Sequence, residues 1–342
     1  MELTEQLIRL LNEYNELGIG EQIDHDKFYL YSLITHSTAI EGSTVTEIEN
    51  QLLFDEGITA KGRPMQEQLM NIDLKNAYEQ SHRLAQKHTE LTVDGLKALS
   101  AIVMKSTGGT YNTLQGSFDA SKGDLRLVNV TAGFGGQSYL DYRKVPNRLA
   151  DFCDNTNRLR AELTDAHSVI DQYLFSFDVH LDLVTIHPWV DGNGRMSRLI
   201  MNQIQFEFGL VPVRINKEDK SEYIQALIDS RERQSNEPFR NFMLREHIKN
   251  LQSEIDNFKR TQSTNSEAKG GQKMQMVDRQ SGQKTREAIL EMIVANGKVT
   301  STQMAQTLGI NRSAVSKHLK RLQDSGIIKR EGPDKGGVWV KC

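Results

Sequence analysis

A chain of 342 residues is long enough for two or three domains, and its 37% hydrophobic content supplies a sizeable core. Its two cysteines, Cys153 and Cys342, stand in neither CxxC nor metal-type spacing, which argues against a disulfide framework and for a reducing setting. The formal charge of −3 is unevenly spread: residues 284–342 hold eleven basic against five acidic residues, a net +6, leaving −9 on residues 1–283, so two different partners are expected.

In chain order, MELTEQLIRLLNEY at the start reads as an amphipathic helix rather than an export signal. No run approaches eighteen apolar residues, so a soluble, cytoplasmic protein without a membrane span is expected. Residues 1–90 form an N-terminal helical region and residues 91–257 a mainly α core. Within the core, GDLRLVNVTAG at 123–133 alternates apolar and polar residues before a glycine, the pattern of a β-hairpin. Residues 171–186 are rich in apolar residues with Asp and Thr interruptions, which suits a central buried helix, and Pro188 with two glycines stops it. Met196, Leu199, Ile200, Ile204 and Phe208 then recur at helical spacing up to Gly209, so Gly192-Asn193-Gly194 opens a helix. Residues 258–284 are polar and rich in Gly, Ser and Gln, a flexible linker. Residues 285–342 resume helical periodicity. A helix follows Thr285, a second is capped by Thr300-Ser301, a third runs over 311–324, and two strands flank a Gly/Pro-rich loop at the end, the layout of a winged helix-turn-helix.

The chemistry concentrates in His187-Pro188-Trp189-Val190-Asp191-Gly192-Asn193-Gly194-Arg195-Met196-Ser197-Arg198. A helix start offers unpaired N–H groups and partial positive charge, so it binds phosphate through backbone alone, and glycines let that backbone approach closely. Arg195 and Arg198, three apart, add two guanidinium forks for neighbouring phosphates. Asp191 is placed for Mg²⁺, which takes one or two carboxylates plus phosphate oxygens. His187, at the preceding helix's end, is a usable general base.

This stretch resembles the Fic family signature HPFxxGNGRxxR, with Trp189 in place of the usual Phe. The resemblance implies transfer of a nucleotide monophosphate, usually AMP from ATP, onto a hydroxyl of a target protein. His187 would deprotonate a Ser, Thr or Tyr, and Asp191 would hold Mg²⁺. Gly192, Asn193, Gly194 and Arg195 would cradle phosphates, and Arg198 would bind the γ-phosphate. The 123–133 segment, with Val128 and Val130, resembles the family's flap that clamps the target, although Leu125 stands where an aromatic is common and the loop before it, 116–122, is longer than usual. SEYIQAL at 221–227 resembles the segment whose tyrosine, here Tyr223, lies near the adenine. Ser37-Thr38-Ala39-Ile40-Glu41-Gly42 matches the family's inhibitory pattern, in which the glutamate would pair with Arg198 where a γ-phosphate belongs. Family surfaces that pair allow a homodimer.

In the winged unit, Leu308, Ile310, Val315, Leu319 and Leu322 are expected to pack inward. Arg312, Ser313, Ser316, Lys317, Lys320 and Arg321 would face DNA, with Lys329, Arg330 and Lys335 reaching phosphates from the wing. Two function classes compete: an autoinhibited adenylyltransferase with a DNA-binding tail, and a transcription regulator whose Fic fold senses a nucleotide. Nothing in the phosphate cradle reads the base, so ATP rests on the resemblance.

Overall fold

The structure, a computed structural model, describes residues 2–132, 138–163, 168–267, 281–308, 315, 318–320, 322–323, 327–332 and 337–341. The chain divides into two compact units, Met1–Lys259 and Arg260–Cys342.

The first unit is built of helices α1 (Glu2–Glu16), α2 (His25–Ile40), α3 (Glu47–Glu56), α4 (Met65–Gln86), α5 (Val93–Val103), α6 (Val145–Glu162), α7 (Val169–Ile186), α8 (Asn193–Glu207), α9 (Lys220–Arg233) and α10 (Glu237–Glu267), with strands β1 (Thr110–Thr113) and β2 (Gly116–Asp119) after α5. Helix α8 is the axis. It packs along α7 and α4, and Met196, Leu199, Ile200, Met201 and Ile204 are buried on several sides of it. Two apolar clusters meet there. One gathers α2, α4, α5, α6, α7 and α8 around Leu74, Leu96, Leu149 and Trp189, and the other joins α1, α7, α9 and α10 around Leu7, Phe177, Tyr223 and Phe239. The start of α7 is fixed by a capping box: the Asp171 N–H donates to Ser168 Oγ at 3.2 Å, and Asp171 Oδ2 accepts from the Ser168 N–H at 3.1 Å.

Two expectations need correction. The hairpin lies earlier than 123–133, because β1 and β2 pair antiparallel with Thr110 opposite Asp119 and Thr113 opposite Gly116. The stretch 116–122, expected as a loop, holds β2 and a short 3₁₀ turn, Ala120–Lys122. Residues 123–132 contain no strand; Thr131 alone makes an isolated bridge with Ser138, and the Tyr139 N–H donates to Val130 O at 3.0 Å. Within this stretch the Arg126 side chain turns inward, 1% exposed, and donates to the carbonyls of Val128 (2.8 Å) and Leu140 (2.5 Å).

The expected linker 258–284 is helical at both ends, since α10 runs to Glu267 and α11 (Ser281–Ala295) begins before Lys284. Phe258 packs on the second apolar cluster, and Lys259 Nζ pairs with Glu13 Oε1 at 2.5 Å. No Gly or Pro interrupts 258–267, so a polar composition here continues the helix.

The second unit holds α11, α12 (Ser301–Leu308), β3 (Ile328–Glu331) and β4 (Val338–Lys341), with Ile328 opposite Lys341. Thr300 caps α12, its Oγ1 accepting the Gln303 N–H at 3.2 Å. Val315, Leu319 and Leu322 are buried among Ile289, Met304 and Trp339, as their spacing indicates, and Leu308 packs against them. Gly297 is required by close approach, because a methyl group there would lie 2.6 Å from Trp339 O. Ile310, Arg312, Ser313, Ser316, Lys317, Arg321 and Lys335 lie outside the described residues, while Lys320 is exposed.

On α10, His247 is fully buried against Tyr173, and neither ring nitrogen has a hydrogen-bond partner. Burial holds its pKa down at about 3. The unfolded chain therefore binds a proton between about 6.5 and 3 that the folded one refuses, so this group costs stability as pH falls through that window. His247→Leu is expected to raise stability at pH 7 by ~1 kcal/mol, by removing buried unpaired polar atoms, and to flatten the acid limb. Urea melts from pH 7 to 4 that superimpose for variant and parent would refute this.

Candidate active site

Helix α7 ends at Ile186 and is capped by His187, the residue before Pro188, whose ring disfavours a right-handed helical conformation there. His187 takes φ 53°, ψ 61°, a left-handed conformation that costs a non-glycine residue about 1 kcal/mol or more. Arg126 holds it there: Nε donates to His187 O at 2.8 Å, and the Arg126 N–H donates to Pro188 O at 3.1 Å. Trp189, 1% exposed, anchors the next residue by donating Nε1–H to Gly123 O at 3.2 Å.

The His187 ring has one nitrogen committed. Nδ1 is 3.2 Å from Val184 O and must carry the hydrogen to bond a carbonyl, which leaves the Nε2 lone pair as the proton acceptor. Burial is the largest influence on its pKa and, outweighing the Val184 bond, lowers it to about 4. Tyr139 stacks on the ring with centroids 3.7 Å apart, and Arg231 lies 5.4 Å from the Tyr139 ring centroid. The imidazole is therefore neutral at pH 7.

Gly192, at φ 81°, caps α8, and a side chain there would strike Met104 Sδ at 2.7 Å. Asn193 does not present its side chain to the cradle. It is bonded to Trp189 both ways, Oδ1 accepting the N–H at 3.0 Å and Nδ2 donating to O at 2.8 Å. Asp191, with a 58% exposed side chain, lies at the same helix start 3.5 Å from Arg195. Arg195 is 2% exposed and its NH2 reaches Met104 Sδ at 3.2 Å, yet Nε and NH1 have no protein partner. Buried unpaired guanidinium donors are costly, and an anion at the helix start would satisfy them.

Arg198, one turn along α8, is fully engaged. Nε donates to Ser37 Oγ at 2.8 Å, NH2 to Ser37 O at 3.0 Å and to Glu41 Oε1 at 2.6 Å, and NH1 to Tyr223 OH at 3.4 Å. Burial alone would raise the Glu41 carboxyl, but the Arg198 charge and hydrogen bond, with Arg195 beyond, hold its pKa below the usual carboxylate value. Gly194 makes this approach possible, since a methyl group there would lie 2.6 Å from Glu41 Oε1. Tyr223 is 1% exposed, packed on His180, Phe239 and Phe242, with its hydroxyl 3.0 Å from His180 Nε2. Its contact with the cradle is through Arg198. Val128 and Val130 flank the Arg126 anchor, half-buried, on the segment that leads toward Tyr139.

Sequence reasoning missed Arg126, Tyr139 and Met104. A single Arg in an alternating segment looks like a solvated side chain, and nothing in sequence pairs residue 126 with residue 187.

The fold and this site define a Fic-type helical domain joined to a winged helix-turn-helix domain. Residues 90–205 match the Fic/DOC family and residues 283–329 match the winged helix-turn-helix DNA-binding family, so the chain carries a domain of each. Over 204 residues it is 27% identical to protein adenylyltransferase fic-1 of Caenorhabditis briggsae, an alignment covering 59% of this chain and 36% of that protein. The chain thus spans about a third of that relative's length. The solved structure of a Fic domain containing signaling protein from Bacteroides thetaiotaomicron superposes with TM-score 0.60 at 22% identity, covering 74% of this chain and 97% of that one. A Fic family protein from Desulfovibrio desulfuricans gives 0.53 at 20% identity, covering 98% and 96%.

If burial lowers the His187 pKa, the C2 proton of its ring should titrate by NMR with a midpoint near 4, and Tyr139→Ala, which opens the ring to water, should move the midpoint up toward the ordinary 6.5. A parent midpoint of 6.5 would contradict the burial argument.

Proposed function

We propose that this chain is an autoinhibited protein adenylyltransferase that moves AMP from ATP onto a Ser, Thr or Tyr hydroxyl of a target protein or of itself, and that its C-terminal domain binds DNA. The observation that carries the reading is the pairing of a neutral histidine, Nε2 free as acceptor, with a buried Arg195 whose Nε and NH1 lack partners. The name of the Caenorhabditis briggsae relative supports the reaction type.

In the reaction, the acceptor O–H gives its proton to His187 Nε2 as its oxygen bonds the α-phosphorus. The bond from that phosphorus to the bridging oxygen breaks, and pyrophosphate leaves with the electron pair. The N–H groups at the start of α8 and the free donors of Arg195 neutralise charge on the phosphates. Asp191 would hold a Mg²⁺ ion, which supplies charge neutralisation when bound. Mg²⁺ typically takes one or two carboxylates, so such an ion would draw its remaining oxygens from phosphate and water.

Glu41 occupies the guanidinium that would bind the γ-phosphate, so ATP must displace it to seat productively. A regulator that only senses a nucleotide needs no base, and the arrangement of His187 counts against that class. A homodimer and a cytoplasmic location remain part of the proposal; among the described residues no helix is long and apolar enough to cross a membrane.

Label from α-³²P ATP should enter protein, and His187→Ala should reduce it by about 10²–10⁴-fold. Glu41→Gly removes one charge-assisted contact worth ~1.5–3 kcal/mol, so incorporation should rise by about 10- to 100-fold. Equal incorporation by parent and Glu41→Gly would end the inhibitory reading. For DNA, the full chain should bind duplex with strong salt dependence, and Lys320→Glu should weaken binding evenly across sequences and reduce the salt slope by about 1. An unchanged slope would remove Lys320 from the interface.

A further inference from the structure

Glu41 closes α2 as its final cap, and the chain beyond it makes a Schellman turn. The Ser43 N–H donates to Thr38 O at 3.1 Å, the Gly42 N–H donates to Ala39 O at 3.0 Å, and Gly42 stands at φ 106°, where only glycine is at ease. Such a turn usually gains a hydrophobic contact across its ends. Here the ends carry hydroxyls, Thr38 and Ser43, and a single side chain from another helix bridges them.

That side chain is Asn71 of α4, fully buried. Its Oδ1 accepts from Thr38 Oγ1 at 2.8 Å, the shortest of that hydroxyl's three acceptor contacts, and from Asn50 Nδ2 of α3 at 2.9 Å. Its Nδ2 donates to Ser43 Oγ at 3.1 Å and to Glu67 O at 2.8 Å. All four hydrogen-bonding positions of the amide are filled. Asn50 Nδ2 also donates to Thr35 Oγ1 at 2.8 Å, one turn back on α2. The same helix α4 grips the turn once more through Glu67, whose Oε2 accepts from the Thr44 N–H at 2.6 Å. Thr38 precedes Glu41 by three residues and Ser43 follows it by two, so Asn71 fixes both sides of the carboxylate without touching it.

We propose that Asn71 is a positioning residue for Glu41: it clamps the turn that carries the carboxylate and thereby sets how often Glu41 occupies Arg198. This rests on the reading of Glu41 as inhibitory. An α-helix C-terminus frays when unsupported, and a carboxylate on a fraying turn would leave a guanidinium open to phosphate. The clamp converts a terminal residue into a fixed one. It also explains four buried polar side chains, Thr35, Thr38, Asn50 and Asn71, in a region where apolar packing would cost less to build.

The test uses the full chain in parent and Glu41→Gly backgrounds, with three variants: Asn71→Ala, and the milder Thr38→Val and Ser43→Ala, which keep the fold if the first does not. Hydrogen exchange at the Gly42 and Ser43 amides should accelerate by about tenfold in Asn71→Ala and less in the others. Incorporation of label from α-³²P ATP should rise by about tenfold in Asn71→Ala with Glu41 present, and should not rise in the Glu41→Gly background. Exchange that is unchanged in folded variants would overturn the clamp. So would a rise of the same size in both backgrounds, because the effect would then not pass through Glu41. If Glu41→Gly itself fails to activate while exchange accelerates, the inhibitory reading falls and the positioning of the turn stands.

Discussion

The site is organised around the need to satisfy one buried guanidinium. Arg198 is 3% exposed, and arginine does not shed its proton in a protein, so this charge cannot be removed by titration when it is desolvated. Its donors must find acceptors and its charge must find an anion. Ser37 provides two acceptors from α2, Tyr223 a third from α9, and Glu41 the anion. Those contacts tie α2 and α9 to α8, and the Tyr223 hydroxyl passes the constraint on to His180 of α7. Withdrawing Glu41 removes the anion from Arg198, a cost that another anion at the same place would offset. A phosphate is such an anion, so under the proposed function carboxylate and nucleotide would be alternative answers to one electrostatic demand.

The imidazole of His187 obeys a different constraint. His187 is held in a left-handed conformation between a helix and a proline, and Arg126 secures the two carbonyls on either side of that bend. With Nδ1 facing Val184 O and Tyr139 covering the ring, only Nε2 is left to take a proton. The low pKa that burial imposes makes the imidazole a weaker base than a solvated one but keeps it unprotonated across the physiological range. Geometry, more than basicity, is what the surrounding residues supply.

Much of this was legible in the sequence where the signal is local. Pro188 and the glycines mark the break between two apolar helices, and the structure puts α7, the bend and α8 where that punctuation stands. The pairing of Glu41 with Arg198 followed from the resemblance, and the 2.6 Å contact matches it. What failed depends on long-range satisfaction. Arg126 looked like an outward position of a strand, yet its side chain found three carbonyls, and the paired strands lie earlier, at 110–119. Tyr223 has the amphipathic spacing of a surface helix, but its ring is enclosed by α7 and α10, two elements whose packing no local pattern encodes. The polar run after Phe258 looked like a linker on composition, whereas helix continuation depends on what α10 already buries.

The two halves of the site differ in how firmly they are held, and that difference decides what can move. Arg195 and Arg198 lie on a helix that is buried on several sides, so shifting them would expose apolar surface at ~25 cal/mol per Å². Glu41 lies at a helix end beside a glycine at positive φ, where the ion pair with Arg198 and the hydrogen bonds of the turn oppose displacement. When an anion arrives, the smaller cost is to release the turn and leave α8 in place. Because an incoming phosphate would take over the charge that Glu41 gives up, the cost of parting the Glu41–Arg198 pair would be offset, and the hydrogen bonds that hold the turn would then weigh more heavily in the exchange.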